Sequence, residues 1–168
     1  RKHLISDYIN IFEKLKTINS NIEFSSDFLV AYPGEEEKDF KATYDLIQNI
    51  PFINSYSFIF SPRPGTIASK LKLIDKKISM KRLEKIQKKL FDHQILKNKY
   101  LENKVIKVLV ENKMKESTKF FGRSEHMTSV VFDAKDEDVG NIIKVKINNS
   151  NQNTLFGESS YKSKKKVA

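Results

Sequence analysis

Arg63 stands between two prolines in Ser61-Pro62-Arg63-Pro64-Gly65-Thr66, directly after the apolar run 56–60. A guanidinium on so constrained a loop suits a phosphate or a planar partner, because its fork presents paired donors. Its competing role is a loop-anchoring ion pair. A second Pro-Gly loop, Ala31-Tyr32-Pro33-Gly34-Glu35, follows Phe28-Leu29-Val30, with Asp27 just before that run. Read in mid-strand and facing an interior, the Asp27 carboxylate needs a polar group to bind. Further along, Lys144 and Lys146 alternate with Ile143, Val145 and Ile147, so both lysines point one way from a strand, and Arg123 could reach a phosphate nearby. The three histidines, His3, His93 and His126, lie far apart, without metal-ligand spacing or a nucleophile partner, and are read as surface or packing residues.

The elements that position these residues follow from periodicity. Segments 24–35 and 56–66 are each an apolar, β-branched and aromatic run closed by turn residues, which predicts two buried strands. Between them Phe40, Tyr44, Ile47 and Ile50 fall at helical spacing, with Glu35, Glu36 and Glu37 in the first turn, where carboxylates suit the helix dipole. Upstream, Ser6 and Asp7 cap a helix whose stripe is Ile11, Phe12, Leu15 and Ile18. Residues 1–66 therefore read helix, strand, helix, strand, with parallel strands and a right-handed crossover. By themselves the Pro-Gly loops serve as strand-to-helix turns; in an α/β barrel, loops at these strand ends carry the chemistry.

Next, Ser79 is expected to cap a helix running to about Leu101, with Leu83, Ile86 and Leu90 on a core-packing face. From Val105 the period changes to two. Residues 105–110, 129–132 and 142–147, with shorter runs near Phe120 and Leu155, predict five strands closing into a small OB-like barrel. Such a barrel offers a face for nucleic acid and equally serves as an ordinary scaffold with solvated lysines.

Charge is concentrated in the joining segment. Residues 70–100 hold 11 Lys/Arg against 3 Asp/Glu (net +8), whereas residues 1–69 are net −2 and residues 101–168 net +4. Lys70, Lys72, Lys76, Lys77, Lys81, Arg82, Lys85, Lys88 and Lys89 would make a surface that tracks phosphates, with salt-sensitive affinity. They also fit the plain reading of lysine-rich usage on a solvated helix face. The lysine-rich tail 161–168 is expected to be disordered and to add nonspecific RNA attraction. No apolar stretch approaches the roughly 20 residues a bilayer requires and no signal-peptide layout is present, so a cytoplasmic location, without a membrane partner, is expected.

Four stretches carry a family resemblance. Ser25-Ser26-Asp27-Phe28-Leu29-Val30-Ala31-Tyr32-Pro33-Gly34-Glu35, followed by Asp39-Phe40, resembles the fifth barrel strand of the radical S-adenosylmethionine (SAM) methylthiotransferases. Ser61-Pro62-Arg63-Pro64-Gly65-Thr66 resembles the loop after their sixth strand in the tRNA branch, where the ribosomal-protein branch is acidic, and Arg82-Leu83 with Gln87 resembles an R-L-x-x-L-Q stretch. Residues 104–158, with Val108-Leu109-Val110-Glu111, Gly122-Arg123 and Leu155-Phe156-Gly157-Glu158, resemble the family's TRAM barrel. Ala31, Tyr32 and Glu36 stand where the family usually has Gly, Phe and Thr.

The resemblance implies an α/β fold: the C-terminal part of a partial (β/α)6 radical SAM barrel over residues 1–101, then an all-β OB-like TRAM barrel over 102–160 and the basic tail 161–168. It implies that Leu29, Val30 and Ala31 line the SAM adenine, that Phe60 and Ser61 close the same pocket, and that Asp27, Arg63, Arg123, Lys144 and Lys146 face substrate or RNA. The implied activity adds a methylthio group to carbon 2 of N6-isopentenyl-adenosine at position 37, in the anticodon stem-loop of a tRNA. A 5′-deoxyadenosyl radical would abstract the hydrogen, with SAM and two [4Fe-4S] clusters as cofactors in a monomeric enzyme. Zero cysteines leave this chain no thiolate for either cluster, so it reads as the C-terminal portion of a longer protein and is expected to be inactive alone. The alternatives are a related enzyme acting on another tRNA adenosine or a ribosomal protein, and a non-enzymatic RNA-binding module.

Overall fold

A computed structural model describes residues 4–160; His3 and the 161–168 tail lie outside the described residues. The first unit runs α1 (Ile5–Ile18), β1 (Asp27–Val30), α2 (Glu37–Asn49) and β2 (Tyr56–Ile59). The two strands pair in parallel, with Asp27 opposite Tyr56 and Leu29 opposite Phe58. A 3-10 turn at Ile67–Lys70 leads to α3 (Lys76–Leu101). Phe28 and Val30 on one face of β1 pack with Phe40, Ile47, Ile50, Phe52, Ile86 and Leu90, so the helices cover one face of the small sheet.

That arrangement corrects the expectation of two buried strands. Burial along β1 alternates strictly, and the opposite face, carrying Leu29, Tyr56 and Phe58, stands open because no described residue covers it. Asp27 is likewise not in mid-strand: it is the first residue of β1 and is exposed. Before it, backbone pairing is reduced to Ile53 N–H with the Phe24 carbonyl (2.9 Å) and Tyr56 N–H with the Ser26 carbonyl (3.2 Å), supplemented by side-chain ties, Ser25 Oγ donating to the Asn54 carbonyl (2.9 Å) and Ser26 N–H to Ser55 Oγ (3.0 Å).

The helix starts also differ. The α1 N-cap is Leu4, whose N–H is accepted by the Asp7 carboxylate at 2.8 Å, so Asp7 works from the third helical position and Ser6 is no cap. Ile11 and Ile18 of its expected stripe are exposed, because only Tyr8 and Phe12 reach the core. Helix α2 begins at Glu37 rather than Glu35, with Asp39 accepting the Glu36 N–H (2.9 Å). Asp75, not Ser79, caps α3, its carboxylate accepting from Lys77 N–H (2.9 Å) and Ile78 N–H (3.3 Å). Ser79 instead sits one turn inside, its hydroxyl donating to the Asp75 carbonyl.

The second unit is β3 (Val105–Lys113), β4 (Lys119–Ser124), β5 (Ser129–Asp133), β6 (Ile142–Ser150) and β7 (Thr154–Ser159). They close into a barrel in the order β3-β4-β5-β7-β6, antiparallel except for β5 with β7, which is the strand order of an OB barrel. Its core is separate: Val108, Val110, Phe120, Val130, Phe132, Val145, Ile147 and Leu155 are all but fully buried. Two glycines sit at the register shifts that bend the barrel, Gly122 opposite Val110 and Gly157 opposite Ile147.

Candidate functional site

The C-terminal ends of β1 and β2 meet at one edge. Phe60 N–H donates to the Val30 carbonyl (2.9 Å), and the Tyr32 and Phe60 rings meet edge to face with centroids 5.1 Å apart. Residues 32–35 form a turn closed by Glu35 N–H to the Tyr32 carbonyl (2.8 Å), with Gly34 at φ +91 where a left-handed residue is required. Ala31 precedes it at φ +60, a conformation that favours glycine, and its methyl is buried.

Of the residues expected to face SAM, Leu29 lies on the open face beside Phe58, and Ala31, Phe60 and Ser61 lie at the strand ends. Val30 does not join them, since its side chain is in the helix-facing core. Arg63 is exposed, and among the described residues no hydrogen bond or ion pair holds its guanidinium. Only its carbonyl is engaged, accepting from Thr66 Oγ1 at 2.8 Å. Among the described residues, then, no ion pair anchors the loop through Arg63.

Behind this edge lies a contact that the charge pattern concealed. Arg82 does not belong to the cationic surface: it is buried, because its place on α3 falls on the face with Ile86 and Leu90. Its Nη1 donates to Glu35 Oε1 (2.8 Å) and to the Glu35 carbonyl (3.1 Å), and Nη2 donates to Glu37 Oε2 (3.2 Å). The guanidinium also lies 5.3 Å from the Phe40 ring centroid. The helical phase marks only its face, since Arg82, Ile86 and Leu90 recur every four residues, and leaves the carboxylates it meets unmarked.

On the barrel, β6 alternates outward Lys144 and Lys146 with inward Ile143, Val145 and Ile147. Lys107 on β3 pairs directly with Lys144, a like-charge cross-strand pair with no carboxylate ion-paired to either among the described residues. Lys107 was missed, although 105–110 alternates as 142–147 does. Arg123 stands apart, across β3 from that wall. It is partly committed, with Nη1 donating to the Met127 carbonyl (3.2 Å) and Nε 3.6 Å from Glu111 Oε1.

Residues 99–159 match the family model of the TRAM domain. Across all 168 residues the chain is 60% identical to the tRNA-2-methylthio-N(6)-dimethylallyladenosine synthase of Pelagibacter ubique (strain HTCC1062), covering 38% of that protein. Proteins of the same name from Ruthia magnifica subsp. Calyptogena magnifica and Bartonella bacilliformis are 38% and 35% identical over 94% of the chain, which spans 36% and 34% of their lengths. Along its whole length the chain is similar to the C-terminal part of proteins carrying this synthase name, and it contains a TRAM domain.

The TRAM barrel meets the first unit at the N-terminal ends of β1 and β2, opposite the Arg63 edge. Asn54 Nδ2 donates to the His126 carbonyl (2.7 Å), the His126 ring Nε2 lies 3.1 Å from the Asn21 carbonyl, and Asn98 Nδ2 reaches the carbonyls of Asn151 (2.8 Å) and Gln152 (3.0 Å). His126 is thus a packing residue at the junction. A cleft of about 980 Å³ runs along this seam, lined in part by Phe91, Gln94, Arg123 and Met127. His93, on α3, has a buried ring Nδ1 without a partner; burial, and then Lys89, push its pKa below the ordinary value. Among the described residues no helix is long and apolar enough to cross a membrane, and no His/Cys/Asp/Glu group could hold a metal.

Proposed function

We propose that this chain is the C-terminal working part of a tRNA methylthiotransferase that modifies carbon 2 of N6-dimethylallyl-adenosine at position 37. The observation that carries the reading is the 60% identity, along the whole chain, to a synthase named for that nucleoside. Residues 1–101 form the last two strands of the radical SAM barrel, residues 102–160 the TRAM barrel and 161–168 a basic tail. The chain spans little more than a third of its relatives, so the activity belongs to the complete protein.

The open apolar face suits an adenosyl group: Leu29 and Phe58 lie side by side, and Tyr32 and Phe60 wall the strand ends. Iron–sulfur ligation does not fit this chain, which has no thiolate. SAM bound there, together with clusters held outside these residues, supplies the hydrogen-abstracting and methyl-donating chemistry. This chain's residues bind and orient. Leu29 and the Ala31 backbone bear on the adenine, and Phe60 and Ser61 close over it. Exposed Arg63, at the same edge, takes a tRNA phosphate or orients the target base, with Asp27 on the sheet's open face. Lys107, Lys144 and Lys146 hold phosphates of the anticodon stem-loop, and Arg123 contributes from the seam. The enzyme works as a cytoplasmic monomer.

The test is binding of anticodon stem-loops with and without the dimethylallyl group to the complete protein, by fluorescence anisotropy. Tighter binding of the modified RNA, lost in Arg63→Ala, is expected. Equal affinity for both RNAs would overturn the substrate assignment.

A further inference from the structure

The turn at the end of β1 is held in place by one side chain from a distant element. Among the described residues, Arg82 is the one side chain from beyond residue 39 that hydrogen-bonds to residues 31–36. It grips Glu35 twice, at the carbonyl and at Oε1, while Oε2 of the same carboxylate accepts the Tyr32 N–H at 3.4 Å. Both ends of the turn are therefore tied to one guanidinium, and through the Tyr32–Phe60 ring contact so is the end of β2. Both partners are nearly desolvated, with side-chain exposures of 8% for Arg82 and 12% for Glu35. In such surroundings a charge-assisted pair is stiff and geometrically exacting.

We infer that Arg82 is a positioning residue for the cofactor-facing turn 31–35, acting through Glu35 to fix where the Ala31 backbone and the Tyr32 ring meet the adenosyl group. The inference rests on the SAM reading above. Neither Arg82 nor Glu35 belongs to the hydrophobic core under the sheet, from Phe28 to Leu90, although the guanidinium lies over the Phe40 ring, so stability and turn geometry are read separately. The joining helix thus carries Arg82 at one end, near the ligand edge, and Gln94 and Asn98 at the other, against the seam with the TRAM barrel. Lysine at position 82 keeps the charge but loses the fork whose two arms reach Glu35 through Nη1 and Glu37 through Nη2.

The experiment uses the complete protein and S-adenosylhomocysteine as probe, measured by titration calorimetry, with amide hydrogen exchange of residues 31–36 and the urea midpoint measured alongside. Arg82→Lys should weaken binding about tenfold, equivalent to roughly 1.4 kcal/mol, and speed exchange in the turn while leaving the urea midpoint close to wild type. Glu35→Gln keeps the shape and removes the charge; it should act in the same direction, and the double variant should be no worse than the weaker single one. Unchanged affinity in Arg82→Lys, or a loss that only follows a lowered midpoint in both variants, would overturn the positioning role. A wild-type protein that fails to bind S-adenosylhomocysteine would instead sink the SAM reading, and this inference with it.

Discussion

Gly157→Ala tests the account of how the TRAM barrel closes. A Cβ built at Gly157 falls 2.3 Å from the Lys146 carbonyl oxygen and 2.8 Å from Val145 Cγ1, where ordinary contact begins at 3.4 Å. The overlap is about 1 Å against backbone, which cannot rotate away as a side-chain tip would. Strands β6 and β7 must part at the register shift between Ile147 and Asn149. Overpacking costs about 1–3 kcal/mol and a weakened ladder hydrogen bond about 1 more, so we expect roughly 3 kcal/mol. For a domain of this size that is a fall of about 12–24 °C in Tm. Gly140→Ala is the matched control: nothing lies within 4 Å of its Cβ, and the change meets only the strain of φ +85, about 1 kcal/mol. The chain has no tryptophan, so urea and thermal unfolding are followed by far-UV circular dichroism. A Gly157→Ala midpoint equal to or above that of Gly140→Ala would refute the steric argument.

Replacing Lys107, Lys144 and Lys146 with Gln should weaken binding of any anticodon stem-loop and lower the slope of log affinity against log salt by roughly 2, at about 0.7 per contact; an unchanged slope would take phosphate binding off this wall. Asp75→Ala removes the α3 cap and should destabilise the first unit by about 1 kcal/mol in urea unfolding, whereas Ser79→Ala should cost less. His93 has its pKa lowered in the folded state, so the unfolded chain binds the proton more readily. The stability from neutral His93 is therefore full above the ordinary histidine range and is lost as pH falls below about 6.5 toward the lowered value. His93→Gln should flatten that part of the stability–pH curve, and an identical curve would exclude His93 as its source.

What was legible in the sequence was what alternation and helical period encode. Residues 105–110 and 142–147 fix which side chains enter the barrel, because a strand has only two faces. The Pro-Gly pairs mark turns because few residues adopt those backbone angles. In the candidate site, Lys144 with Lys146 and the exposed loop of Arg63 were readable for these reasons. Arg82 was assigned to solvent because a charge run carries no mark of the one member that meets carboxylates 45 and 47 residues away. The helix start was misplaced by one turn because Ser79 and Asp75 both fit a cap locally, and only the backbone path decides which amides remain free.

By itself the sequence determined two βα-type strands with their turns, a helix joining them to a small barrel, and the motifs that carry the resemblance to the methylthiotransferases. The tertiary structure decided which faces those elements leave open. It buried Val30 and exposed Leu29, left Arg63 at the surface while Arg82 was consumed, and put Lys107 opposite Lys144 with Arg123 in the seam. Those outcomes depend on contacts between residues far apart in the chain, whose burial and pairing set charge and access, and no local period carries that information.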